Sequence, residues 1–105
     1  MSDASLCCTT TANLKDAKKL AKRLVTKKLA SCVQVIPKIL SFYEWDGALQ
    51  EESECLLLIK TPQYCVEEIK DLLRAEHTYE VPEFLVFEAS DALEEYLGWM
   101  QEAVE

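Results

Sequence analysis

Asp46 and Gly47 sit between two long runs of strand-forming residues, and this arrangement constrains the fold more than any other feature of the chain. A two-residue type I′ turn needs positive φ at both central positions, which Asp-Gly tolerates, so the dipeptide predicts a tight β-hairpin. The incoming run, residues 32–45, is rich in Val, Ile, Phe and Tyr. The return run extends to about Thr61; residues 50–54 are polar, and residues 55–59 read as its buried part. Pro37 lies inside the incoming strand. A residue without an N–H cannot donate to a ladder, so a bulge or an edge position is expected there.

The segments around this hairpin complete a recognisable order. Residues 6–11 form a short apolar, β-branched run, a first strand. Asn13 with Asp16 three residues on resembles a capping box with Asp in the Glu place. Behind it Leu14, Ala17, Leu20, Ala21, Leu24 and Val25 recur at helical spacing, and Lys15, Lys18, Lys19, Lys22 and Arg23 fill the other face. This is an amphipathic helix ending near Lys28, with a solvated lysine face. Thr61-Pro62 is expected to open a second helix, whose apolar stripe is Cys65, Val66, Ile69, Leu72 and Leu73. Residues 81–89 read as a fourth strand, and Ser90-Asp91 as the cap of a last helix burying Leu93, Tyr96, Leu97 and Met100.

The order is β-α-β-β-α-β plus a C-terminal helix. That is an α+β, ferredoxin-like arrangement, an antiparallel sheet with two helices on one face. The 105 residues make one domain, spanning residues 1–105, without repeats or linkers. The hairpin strands are longer than the first and last strands, so their excess projects from the domain with Phe42, Tyr43 and Trp45 on it. An exposed aromatic strand end aggregates unless something covers it, and pairing between subunits is the simplest cover.

Composition narrows the function classes. Eleven basic residues against nineteen acidic ones give a net charge of −8, which opposes binding to a phosphate backbone, so nucleic acid is not an expected partner. A negative surface does raise the local concentration of cations. Cysteines 7, 8, 32, 55 and 65 are odd in number, irregularly spaced and mostly in apolar patterns. They read as reduced thiols of a cytoplasmic protein. Signal-peptide and membrane-spanning patterns are absent, so a membrane partner is not expected. Glycine-rich phosphate loops are absent too, so no nucleotide is expected.

Two segments stand apart from core formation. Residues 77–83 lie between a helical pattern and a strand, and hold the only histidine, a tyrosine, two carboxylates and a proline. Residues 42–47 place bulky aromatics at the hairpin tip. Loops placed by a rigid scaffold often carry function.

These residues bring the chain to a known family: it resembles the CutA proteins, named for divalent-cation tolerance. The resemblance rests on residues 7–10 in the first strand, 30–33, 41–47, Glu54, Lys60-Thr61, residues 77–82 and Trp99, and covers nearly the whole chain. It implies a compact homotrimer of ferredoxin-like subunits with strands of neighbours pairing, an architecture similar to the nitrogen-regulatory PII proteins. It also implies a role in copper or other divalent-metal homeostasis. Carried over by position, the cleft residues are Cys32, Tyr43, Trp45, Glu54, Lys60, His77, Tyr79 and Glu80. The family usually has proline after the histidine; here Thr78 makes the loop less rigid.

Each candidate has two readings. Cys32 and His77, with Glu54 or Glu80, can ligate Cu(II) or another divalent cation weakly, or they are a small buried thiol and a loop residue. Lys60 with Glu54 and Tyr79 either binds an anionic small molecule or forms an ion pair at a subunit boundary. Tyr43 and Trp45 either stack a ligand or anchor an interface, which suits their residue types. Cys7 and Cys8 point to opposite faces of a strand and cannot easily chelate one ion. A Cys32–His77 nucleophile pair lacks an orienting group and an oxyanion hole, so no enzyme is expected. The expected function is a trimer binding a cation or small ligand in clefts between its subunits; the alternative is a PII-like signalling or scaffold trimer that recruits a protein partner.

Overall fold

A computed structural model describes residues 2–105. Four strands and three helices follow in the order β1 (Ala4–Thr11), α1 (Leu14–Thr26), β2 (Cys32–Trp45), β3 (Ala48–Pro62), α2 (Val66–Glu76), β4 (Leu85–Glu88) and α3 (Glu94–Ala103). The sheet order is β2-β3-β1-β4, and every neighbouring pair is antiparallel. This is the expected ferredoxin-like arrangement with its additional C-terminal helix. Alternate residues of the central strands, Cys7, Thr9, Leu57 and Ile59, have no exposed surface. They form the core with Ala17, Leu20 and Leu24 of α1 and Ile69, Leu72 and Leu73 of α2.

Local chemistry explains the boundaries. Asn13 caps α1 by accepting the Asp16 N–H at 2.8 Å. At the other end Lys28 takes a left-handed φ of 59°, Leu29 N–H donates to Leu24 C=O, and Lys28 N–H donates to Val25 C=O. That pair of bonds is a Schellman closure, formed here without glycine. Asp46 and Gly47 have φ of 52° and 77°, as a type I′ turn requires. The β2–β3 register shifts between Ile36 and Ile39, and Lys38 has φ of 60°, which places a bulge at the proline as anticipated.

β1 pairs with β3 only from Cys55 onward. The remainder of the hairpin has no third strand, and it stretches the chain to 45 × 26 × 22 Å. Ile39, Tyr43 and Trp45 share one face of this arm with their partners Glu54, Gln50 and Ala48. Leu40, Phe42 and Leu49 lie on the opposite face, exposed at 64%, 60% and 77%. The sequence reading grouped the tip aromatics together; strand alternation turns Phe42 to the other face of the arm from Tyr43 and Trp45, although all three border the cleft beside the arm.

Three boundaries differ from expectation. β4 starts at Leu85, not at residue 81, because Pro82 has no N–H to give and the Glu83 carbonyl is taken by the Thr9 hydroxyl at 2.7 Å. The strand β3 continues through Thr61 to Pro62, and a single 3-10 turn, Gln63–Cys65, precedes α2. Ser90-Asp91 does not cap α3: Asp91 accepts only the Ala92 N–H, and the helix begins at Glu94 without a side-chain cap. Of the residues expected beneath it, Met100 is buried, whereas Leu93 and Tyr96 are exposed. Tyr96 stacks on Trp99 instead, with ring centroids 5.5 Å apart.

Candidate functional site

The short β4 creates the site. It pairs with β1 only from Ser5 to Cys8, leaving residues 9–11 of that edge free of a strand partner. The 77–83 loop lies across this gap and is pinned at several points. The His77 ring makes two hydrogen bonds. Nδ1 accepts the Tyr79 N–H at 2.9 Å, and Nε2 donates to the Thr10 carbonyl at 2.8 Å. An Nδ1 that accepts fixes the neutral tautomer protonated at Nε2. His77 therefore shapes the loop, and its ring nitrogens are already occupied.

The turn made by His77 delivers Tyr79 to β3. Its hydroxyl donates to Glu54 Oε2 at 2.6 Å, a short charge-assisted bond. Glu54 is only 7% exposed. Burial, reinforced by the Glu54 carboxylate, holds the Tyr79 phenol well above the usual tyrosine range. Glu83, though exposed, is likewise raised, first by partial desolvation of its carboxyl and then by the charge on Glu54. Tyr43 is raised by desolvation and by the carboxylates of Glu52 and Glu54. These shifts share one cause: negative charge is concentrated where water is partly excluded.

Between the loop and the hairpin arm lies an open cleft of about 680 Å³, lined by Thr10, Ser41, Phe42, Tyr43, Trp45, Glu54 and residues 78–81 and 83. Three of the lining residues, Glu54, Glu80 and Glu83, are acidic, four are aromatic, and none is basic. Tyr43, Trp45, Glu54, Tyr79 and Glu80 are thus brought together as the sequence reading grouped them.

Cys32, Lys60 and His77 do not join them in the same way. Cys32 pairs with Lys60, whereas Thr10, which holds the His77 ring, pairs with Leu56. Four residues of strand separate these positions, roughly 13 Å. Glu54 lies six residues from Lys60, roughly 20 Å. A single chain therefore makes neither a Cys32–His77 pair nor a Lys60–Glu54–Tyr79 group. Among the described residues, no three Cys, His, Asp or Glu side chains are placed to hold one metal ion. Cys7 and Cys8 do diverge as alternation requires; Cys7 is buried, and its thiol is pushed up to about 11 by desolvation and the neighbouring Cys8.

Thr9, Thr10 and Glu83 lie in segments that the sequence singled out, residues 7–10 and 77–83, but were not assigned to the site. The signal available was Pro82, which bars a ladder N–H at the point where the fourth strand was expected to be under way.

The sequence model of the family described as CutA1 divalent ion tolerance protein matches residues 5–103. The chain belongs to that family. It is 41% identical over 92 residues to the chloroplastic protein CutA of Arabidopsis thaliana, covering 88% of this chain and 50% of that one. It is 38% identical over 86 residues to the divalent-cation tolerance protein CutA of Thermus thermophilus, covering 82% of this chain and 84% of that one. The chain thus spans about half the length of the plant relative. The crystal structure of CutA from Xylella fastidiosa superposes with a TM-score of 0.96 at 35% identity, over 99% of this chain and 100% of that one. The family and the Thermus relative are named for divalent ion or cation tolerance, and none of these names is an enzyme name. No helix among the described residues is long and apolar enough to cross a membrane.

Proposed function

We infer that this CutA-family protein is a non-enzymatic homotrimer that holds a cation or small ligand in acidic clefts completed where subunits meet. The observation that carries this reading is the cleft lining, with its three carboxylates and no basic side chain. Such a surface, partly shielded from water, focuses negative potential and concentrates cations.

The hairpin arm supports assembly. Its Leu40, Phe42 and Leu49 form an exposed apolar face, and Leu85 and Phe87 of the edge strand are more than half exposed. Contacts with other subunits are the economical way to cover them. Assembly also offers the only route by which Cys32 and Lys60, at the far end of the sheet, reach a cleft: they would enter a neighbour's. Cu(II) or another divalent cation would then meet Glu54 and Glu80 from one subunit and the Cys32 thiol from the next, a donor set suited to borderline metals. His77 would orient the loop, not ligate. Five free cysteines suit a reducing, cytoplasmic setting.

The test joins sedimentation with titration calorimetry. Dilute protein should sediment as a trimer and bind Cu(II) or Zn(II), with affinity falling in Glu54→Gln. A further fall in Cys32→Ser would show that a neighbouring subunit contributes. A stable monomer, or metal affinity unchanged in Glu54→Gln, would overturn the reading.

A further inference from the structure

We propose that the cleft between the hairpin arm and the 77–83 loop selects an organic ammonium ion, a choline-like quaternary or alkylated amine, as its cation. This rests on the cation reading above and names the chemical class of the ligand.

The lining decides between kinds of cation. Carboxylates attract any positive charge, but Tyr43, Trp45 and Tyr79 share the cleft with them. A small hydrated dication gains little from ring faces; it needs several oxygen donors converging at short range. No three acidic, thiol or imidazole side chains among the described residues converge in that way. An alkylammonium ion has the opposite requirements. Its charge is spread over methyl and methylene surface that sheds water readily, and it is attracted to the face of an aromatic ring, to tryptophan most strongly. The carboxylates supply long-range attraction without contacting the charge closely.

Backbone geometry places these groups deliberately. Tyr43 and Trp45 lie on the hairpin face that also carries Glu54. Trp45 pairs with Ala48 across the type I′ turn, so no bulky residue stands opposite it. Tyr79 is held against Glu54 by its hydroxyl and beside His77 with ring centroids 5.0 Å apart. About 680 Å³ falls within the range of roughly 300–1,000 Å³ typical of small-molecule sites. A metal ion alone would leave most of that space to water.

The chain contains two tryptophans, Trp45 and Trp99, so a Trp99→Phe protein leaves Trp45 as the single reporter. Choline is the probe, and its control is the neutral alcohol in which carbon replaces the quaternary nitrogen. Choline should quench Trp45 fluorescence saturably, and the neutral isostere should not. By calorimetry, Trp45→Leu, which keeps apolar bulk and removes the ring, should weaken choline binding at least about fivefold. Glu80→Gln should weaken it as well. Should Trp45→Leu fail to sediment as the wild-type assembly does, Tyr43→Leu and Glu80→Gln carry the test, and unchanged affinity in both would overturn the proposal. Equal binding of choline and its isostere would show an apolar cleft indifferent to charge, which also overturns it. Binding of Zn(II) or Cu(II), lost in Glu54→Gln, without choline binding would overturn the ammonium proposal and leave the cation reading standing. Binding of neither would remove both.

Discussion

Replacing Tyr79 with Phe isolates the interaction on which the cleft wall depends. The ring, and its packing beside His77, would remain; only the hydroxyl that donates to Glu54 Oε2 at 2.6 Å would go. Glu54 is 7% exposed, so water has little access to replace the lost donor. A hydrogen bond to a charged group contributes about 1.5–3 kcal/mol, and leaving a buried charge without its partner falls towards the upper part of that range. Taking about 2 kcal/mol, the melting temperature of a domain of this length should fall by roughly 8–16 °C.

The assay is thermal and chemical denaturation of both proteins at one fixed concentration, because assembly would make stability concentration-dependent. A double-mutant cycle then identifies the cause. If the cost is an unpaired charge, Glu54→Gln placed in the Tyr79→Phe background should recover part of the loss, since an unpaired amide is less costly than an unpaired carboxylate. Additive losses, or a Tyr79→Phe protein as stable as wild type, would show that Glu54 is hydrated. The wall would then owe its shape to His77 alone.

Three further outcomes follow from the same geometry. Glu83 is an exposed residue whose carboxyl is raised above the ordinary 4.5 by partial desolvation and by Glu54, so the native state holds that proton slightly more tightly than the unfolded chain does, an effect that solvent screening keeps small. Its contribution is therefore fully present below pH 4.5 and is lost as pH rises through the raised value; Glu83→Gln should increase stability at neutral pH, with the gain vanishing in denaturation curves taken below pH 4. Lys28 occupies the left-handed position that closes α1 at φ 59°, and Lys28→Gly should stabilise the protein by about 0.5–1 kcal/mol, read from denaturation midpoints. Leu57 is completely buried at the centre of β3, and Leu57→Ala should cost about 2–5 kcal/mol by the same measurement.

What could be read from the sequence divides along a physical line. The hairpin, its turn, the bulge at Pro37, the apolar stripe of α2 and the middle of the α1 stripe are local consequences of residue type and spacing and are found where they were expected, whereas Leu14 and Val25 at the two ends of α1 are exposed. Some departures are local, such as the missing cap of α3 and the late start of α2; others depend on partners distant in sequence. A strand beginning at residue 81 was plausible locally, but a hydroxyl from Thr9, seventy-four positions away, takes the Glu83 carbonyl. His77 carried the chemistry of a metal ligand; only the fold reveals that Thr10 and Tyr79 already occupy both its nitrogens. Cys32 and Lys60 were assigned to one cleft with Glu54 and Tyr79, and strand register sets them roughly 20 Å from it within a chain. The grouping of Tyr43, Trp45 and Tyr79 with Glu54 and Glu80 came from the family resemblance; the fold accounts for it, because alternation along a hairpin places one half and a loop of seven residues places the other. That loop is held open by a β4 too short to cover β1, so the departure from the expected strand and the existence of the cleft have the same cause.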